Sequence, residues 1–221
     1  MSKTAIVAGA TGLIGSNLVE LLLESDHYDQ IVLIVRTKQN IESGKIIQII
    51  EEDFSNIENH LSELEGEDYF CTLGTTKAKA GSKEAFEKVD FEYPIIFAKI
   101  AMKSSRFQYF GIVTAMGADV NSIFFYNKVK GRLEQDLKIL GLRNLYIFQP
   151  NLLIGERKES RLGERVVTKL SQFLSFILWR RHNPVLAIEA KTVAMAMFNT
   201  SQLIEQTLRT LIPKEIRISA K

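Results

Sequence analysis

The chain has 221 residues with 28 basic and 26 acidic side chains, a formal charge of +2. That length predicts one domain over residues 1–221, large enough to bury a core without disulfides or metal. The near-neutral charge argues against a nucleic-acid binder, and 46% hydrophobic with 24% charged residues argues against disorder. The one cysteine, Cys71, can form no internal disulfide, and His27, His60 and His182 lie far apart, a poor pattern for zinc. No run reaches the roughly 20 apolar residues of a membrane span, and no leader-like pattern opens the sequence. The expectation is a cytoplasmic protein without a membrane span.

Short β-rich runs alternate with longer amphipathic ones, the pattern of βα units around a parallel sheet. Strands are predicted at residues 4–8, 31–35, 45–50, 68–72, 108–113 and 145–148, the last stopped by Pro150. Helices are predicted over 13–24, 56–64, 82–102 (with Pro94 inside, a candidate kink) and 123–140, the last ending at Gly141. Runs such as Ile31 to Val35 are apolar without alternation, as strands covered on both faces are. Six strands with helical crossovers give an α/β fold with a doubly wound parallel sheet, a Rossmann fold. Residues 151–190 read as a small C-terminal cap, and Pro213 as the opening of a short last helix.

Gly9-Ala-Thr11-Gly12-Leu13-Ile14-Gly15 follows the first strand and opens a helix. Glycines in that context permit a tight turn, a close backbone approach to a pyrophosphate and tight helix packing, with helix-end amides for the phosphates. The second strand ends in Val35-Arg36-Thr37-Lys38, with no acid until Glu42. Arg36 there suits a 2′-phosphate, which favours NADPH over NADH, whereas a solvated basic turn is the bland alternative. Asp53-Phe54 either brackets an adenine, or Asp53 caps the helix that follows. Leu73-Gly74-Thr75 ends the fourth strand, where Gly74 permits a close approach to the cofactor ribose. Cys71 reads as a buried, inert thiol.

Tyr126 and Lys130, four apart, share a face of the helix after the fifth strand, at the crevice where a nicotinamide binds in such sheets. Carbonyl reduction needs a hydride at carbon and a proton at the developing alkoxide. Tyrosine supplies the proton, and a neighbouring ammonium is expected to lower its pKa. Thr114 and Ser122 are the candidates for a hydroxyl that orients the carbonyl.

The glycine loop, Tyr126 and Lys130 together resemble the short-chain dehydrogenase/reductase superfamily. Five further segments narrow the resemblance to the Tat-interacting oxidoreductase group of atypical members: Leu73 to Ser82, Val89-Asp90, Gly117-Ala-Asp119, Tyr126 to Gly131, and Arg157 to Glu164. The resemblance implies a Rossmann domain, NADPH binding and reductase chemistry. It also implies that Pro150 and Asn151 line the nicotinamide pocket. Two departures stand out: Thr114-Ala115 replaces the group's serine pair, and Gln149-Pro150-Asn151 replaces Arg-Pro-Gly.

Arg157, Arg161 and Arg165 recur every four residues among Glu156, Glu159 and Glu164. They form either an anion-binding lid or a salt-bridged surface loop. Phe173, Phe176, Ile177 and Trp179 form an apolar stripe: core packing, a substrate pocket, a membrane-surface contact or a homodimer face. The leading expectation is an NADPH-dependent oxidoreductase acting on a small-molecule carbonyl substrate. The alternative is a non-catalytic NADPH sensor acting through a protein partner.

Overall fold

In the computed structural model, which describes residues 3–155, 187–203 and 205–221, seven parallel strands form one sheet. They are β1 (Lys3–Ala8), β2 (Tyr28–Val35), β3 (Ile46–Ile50), β4 (Asp68–Cys71), β5 (Tyr109–Val113), β6 (Leu145–Phe148) and β9 (Leu208–Leu211). Their spatial order is β3-β2-β1-β4-β5-β6-β9. The order reverses between β1 and β4, and outside that switch point, at the carboxyl ends of the strands, doubly wound sheets open a ligand crevice.

Helices cover both faces. One core layer packs α1 (Leu13–Glu24) and α6 (Ala190–Ser201) on the sheet through Leu18, Leu22, Val193 and Met197. The other packs α4 (Tyr93–Lys103), α5 (Phe125–Leu140) and a 3-10 helix (Phe54–Glu63) through Phe97, Leu133 and Ile57. Between these layers the residues of β1 from Ala5 to Ala8 are fully buried, which explains their unbroken apolar run.

The predicted helix over 82–102 is instead three segments, because Pro94 has no N–H and its ring would press on the carbonyl of Asp90, four residues back. A one-turn π segment, Lys88–Glu92, joins α3 (Lys83–Glu87) to α4 and leaves Pro94 in the first turn of α4, where no donor is needed. A further short helix, α2 (Lys77–Ala80), precedes α3. Helix α5 starts two residues later than expected, at Phe125, and ends at Gly141 as anticipated.

Six strands were expected, and among the described residues the main sheet holds seven. The seventh, β9, pairs with β6 from Leu145↔Leu208 to Phe148↔Leu211. Its residues are half exposed at the sheet edge, so it carries little apolar signal. Two short strands, β7 (Leu152–Ile154) and β8 (Ala187–Glu189), pair in parallel and bring together the two ends of the predicted cap. Pro213 does open the last helix, α7 (Pro213–Ser219). The arginine series at 157, 161 and 165 and the apolar stripe at 173–179 lie outside the described residues. No helix among the described residues is long and apolar enough to cross a membrane.

Candidate functional site

The glycine loop sits at the carboxyl end of β1 beside the end of β4. Gly9 has φ +89°, and a Cβ there would lie 2.7 Å from the Thr72 carbonyl carbon. A Cβ on Gly15 would collide with the Gly9 carbonyl oxygen. Thr72 ties the two strands, donating its hydroxyl to the carbonyls of Ala8 (3.1 Å) and Gly9 (3.0 Å). Gly12 N donates to Gly9 O at 2.9 Å, and α1 then starts at Leu13 with no side-chain cap. The amides of Leu13, Ile14 and Gly15 thus form a bare helix end with partial positive charge, beside an exposed Thr11. The glycines let the Gly9 and Thr72 backbones close in where side chains would otherwise sit, and this tight turn with its bare helix end fits a dinucleotide pyrophosphate.

Arg36 is exposed at the end of β2 and lines a shallow depression with Thr37 and Glu52. Of the two roles the sequence left open, Asp53 takes the cap of the 3-10 helix, accepting Ser55 N at 3.0 Å, and it also accepts Lys88 Nζ (2.9 Å) and Tyr93 Oη (2.8 Å). These bonds, led by the Ser55 amide, hold its carboxyl well below the usual range. Phe54 turns into the core against Tyr93 (5.2 Å between ring centroids) and Phe97 (6.2 Å). Leu73, Gly74 and Thr75 follow β4, with Gly74 exposed. Pro150 is buried after β6, its carbonyl accepting Met116 N at 3.0 Å, and Asn151 follows it half-buried.

Tyr126 and Lys130 do share one face of α5. The Tyr126 ring packs 5.7 Å from Phe86, and Tyr126 remains 42% exposed. Lys130 is buried, and its Nζ lies 2.8 Å from Asp90 Oδ1, with both side chains almost fully enclosed. Asp90 Oδ2 accepts the Thr75 amide at 2.8 Å. One carboxylate thus joins the π segment, the loop after β4 and the lysine of α5. Sequence reasoning assigned Asp90 no role, although an acid among the apolar residues of a buried helix face was the available signal.

The expected lowering of the Tyr126 pKa is not what the fold produces. Desolvation of the phenol raises it, Lys130 pulls it down, and Asp90 pushes it up again, leaving it above the ordinary value. Burial pushes the Cys71 thiol up to about 12, and that side chain is fully enclosed in β4.

The two hydroxyl candidates are placed differently. Thr114 is buried and donates to Glu134 Oε1 at 2.6 Å, so its proton is directed into α5. Ser122 is half-buried just before α5, and its Oγ accepts Phe124 N at 3.2 Å, which leaves its O–H to donate. Glu134 also accepts from Gln149 Nε2 at 2.9 and 3.0 Å. It lies one turn beyond Lys130, a spacing that sequence reasoning passed over.

The fold is that of solved short-chain dehydrogenase/reductase-type proteins. The Bordetella bronchiseptica enzyme WbmF, solved with NAD+, superposes with TM-score 0.71 at 14% identity, covering 99% of this chain and 76% of that one. A short-chain dehydrogenase family protein from Francisella tularensis superposes with TM-score 0.68 at 13% identity, covering 97% and 99%. Sequence relatives are nearer. Protein HTATIP2 of Rattus norvegicus is 33% identical over 171 residues, 76% of this chain and 70% of that protein. Protein FMP52-1, mitochondrial, of Scheffersomyces stipitis is 33% identical over 197 residues, 87% and 86% of the two chains. Protein FMP52, mitochondrial, of Candida albicans is 34% identical over 175 residues, covering 77% and 76%. The mitochondrial names of these fungal relatives overturn the cytoplasmic placement expected from the sequence. The family model described as HIM1 matches residues 22–183, so the chain belongs to the HIM1 family.

Proposed function

We propose that the protein is an NADPH-dependent oxidoreductase that reduces the carbonyl of a small-molecule substrate, with Tyr126 as the proton donor. The observation that carries this reading is the meeting of α5 and the glycine-loop edge of the sheet: Asp90 ties Lys130, one turn after Tyr126, to the Thr75 amide beside that crevice. The similarly folded WbmF, solved with NAD+, supports a nicotinamide cofactor in this fold. Exposed Arg36 at the end of β2, with no acid at that strand end, supports the phosphorylated form.

The loop from Gly9 to Gly15 and the first amides of α1 hold the pyrophosphate, Arg36 the 2′-phosphate, and Leu73 to Thr75 flank the ribose. A reduced nicotinamide held there would supply the hydride for the carbonyl carbon. Tyr126 gives its phenolic proton to the carbonyl oxygen, so the C=O bond becomes an alcohol, and the phenolate regains a proton from solvent. Ser122 is assigned the orienting hydroxyl, since the Thr114 proton is already directed to Glu134. Pro150 and Asn151 close the nicotinamide side.

The alternative of a non-catalytic NADPH sensor draws on one observation, the inward Thr114 beside an Ala115 that has no hydroxyl. The test is calorimetric titration with NADPH and NADH, followed by cofactor oxidation across a carbonyl panel. Micromolar NADPH binding, much weaker NADH binding and carbonyl-dependent oxidation lost in Tyr126→Phe are expected. NADPH binding with no turnover of any carbonyl would favour the sensor, and no binding of either cofactor would remove both readings.

A further inference from the structure

A lysine one turn after a tyrosine ordinarily stabilises the phenolate. Here the ammonium is also paired with a buried carboxylate that opposes its pull on the phenol. Lys130 Nζ and Asp90 Oδ1 are 2.8 Å apart with side chains 3% and 1% exposed. A carboxylate at that distance turns the lysine's unit charge into a short dipole, whose field falls off faster than that of a free cation. Asp90 is also held in place. Its second oxygen takes the Thr75 amide at 2.8 Å, so swinging away from Lys130 would leave a backbone donor unsatisfied. Pro94 fixes the backbone that carries it, because the proline requires the widened turn in which Asp90 sits.

We infer that Asp90 is a positioning residue that withholds the charge of Lys130 from Tyr126, keeping the phenol protonated and suiting the site to donating a proton to a nascent alkoxide rather than abstracting one from an alcohol. The directional part rests on the reductase reading above. The electron balance is that reading's own: two electrons arrive with the hydride of the reduced nicotinamide, the Tyr126 O–H bond breaks, and an O–H bond forms on the substrate oxygen.

The charged and titratable groups around the phenol act consistently. On α5 itself Lys130 lowers the phenol's pKa, while Asp90 on the π segment raises it in the same direction as desolvation. The Cys71 thiol of β4, close enough to feel both Lys130 and Asp90, is kept neutral by burial. Glu87 on α3 is paired with Arg132 at 3.0 Å, and Lys83 lies 5.5 Å over the Phe125 ring. Glu134 is occupied by Thr114 and Gln149. Asp90 is therefore the acid opposed to Lys130.

The test is a near-ultraviolet phenolate titration of the full chain without cofactor, with Tyr126→Phe subtracted to isolate one tyrosine. The wild-type midpoint should lie above the ordinary phenol value of about 10. In Asp90→Asn the amide oxygen can still accept the Thr75 amide, but Lys130 is no longer neutralised. The Tyr126 midpoint should then fall by about 1 pH unit or more. The alkaline limb of the reduction rate should move by the same amount, in kcat rather than KM. A folded Asp90→Asn protein with an unmoved midpoint would overturn the inference. If that variant does not fold, the double variant Asp90→Asn with Lys130→Met removes both charges together: its midpoint should stay near that of the wild type, and a midpoint well above it would overturn the inference. Failure of the protein to bind NADPH would sink the reductase reading while leaving this titration to judge Asp90 by itself.

Discussion

Thr114 donates its hydroxyl to the Glu134 carboxylate at 2.6 Å, across the buried contact between the end of β5 and α5. A hydroxyl spent in this way supports the helix that carries Tyr126 and Lys130, and it does so from inside. Thr114→Val keeps the shape but leaves Glu134 with one donor fewer. It should cost about 1–3 kcal/mol of unfolding free energy, with turnover per folded molecule within a few-fold of wild type. Thr114→Ser should be close to wild type in both. Urea denaturation alongside kcat separates these roles, and a stable Thr114→Val protein without turnover would return Thr114 to the chemistry.

Gly15 faces the Gly9 carbonyl so closely that a methyl group cannot fit unless α1 moves off β1. Gly15→Ala should therefore weaken NADPH and NADH alike, by roughly tenfold or more, because displacement of the helix end removes amides common to both cofactors. It should also lower thermal stability, since overpacking typically costs about 1–3 kcal/mol. Calorimetry with each cofactor is the check. Unchanged affinity would show that the phosphates lie elsewhere.

What could be read from the sequence was what local pattern determines. The bounds of α1 and β6 were read off to the residue because apolar periodicity and strong stop signals coincide there. The Tyr126–Lys130 pair was legible because helical spacing is a local property. The partner of Lys130 was not, since Asp90 lies 40 positions before Lys130 and meets it only through tertiary packing. The direction of the Tyr126 pKa was misread chiefly because desolvation of the phenol, which spacing does not reveal, outweighs Lys130, with Asp90 adding to it. Pro94 was noticed as a kink, but its effect, a π turn that aims Asp90 inward, depends on how the freed carbonyls are accommodated. β9 escaped because an exposed edge strand of four residues needs no buried apolar run.

Arg36 offers a test of cofactor choice that is independent of catalysis. It is exposed at the end of β2, so solvent weakens its contribution, and the lower end of the range for a charged hydrogen bond applies. Arg36→Ala should weaken NADPH by about 1.5 kcal/mol, roughly tenfold in Kd, and leave NADH nearly unchanged. Equal losses for the two cofactors would mean that Arg36 contacts a part they share.

Asp68 sets a pH dependence of folding at the opposite edge of the sheet. Its side chain is fully enclosed, with Oδ2 accepting Tyr28 Oη at 2.6 Å and paired with Lys3 Nζ at 3.1 Å. Its Oδ1 has no hydrogen-bond partner among the described residues. Burial raises the carboxyl's pKa by more than Lys3 and Tyr28 lower it. An acid with a raised folded-state pKa stabilises the fold in its protonated form. That contribution is complete below the ordinary aspartate value of about 3.9 and is lost as pH rises through the raised one. Asp53, held low by the Ser55 amide and Lys88, contributes with the opposite sign at more acid pH. The effect of Asp68 is therefore read as a difference between two proteins. The stability of wild type relative to Asp68→Asn should decline as pH rises from about 4, and Lys3→Met should carry the decline to higher pH by removing the cation that opposes it. Urea unfolding at a series of pH values gives both curves. A wild-type-minus-variant difference that does not change with pH would mean that Asp68 titrates alike in the folded and unfolded chains.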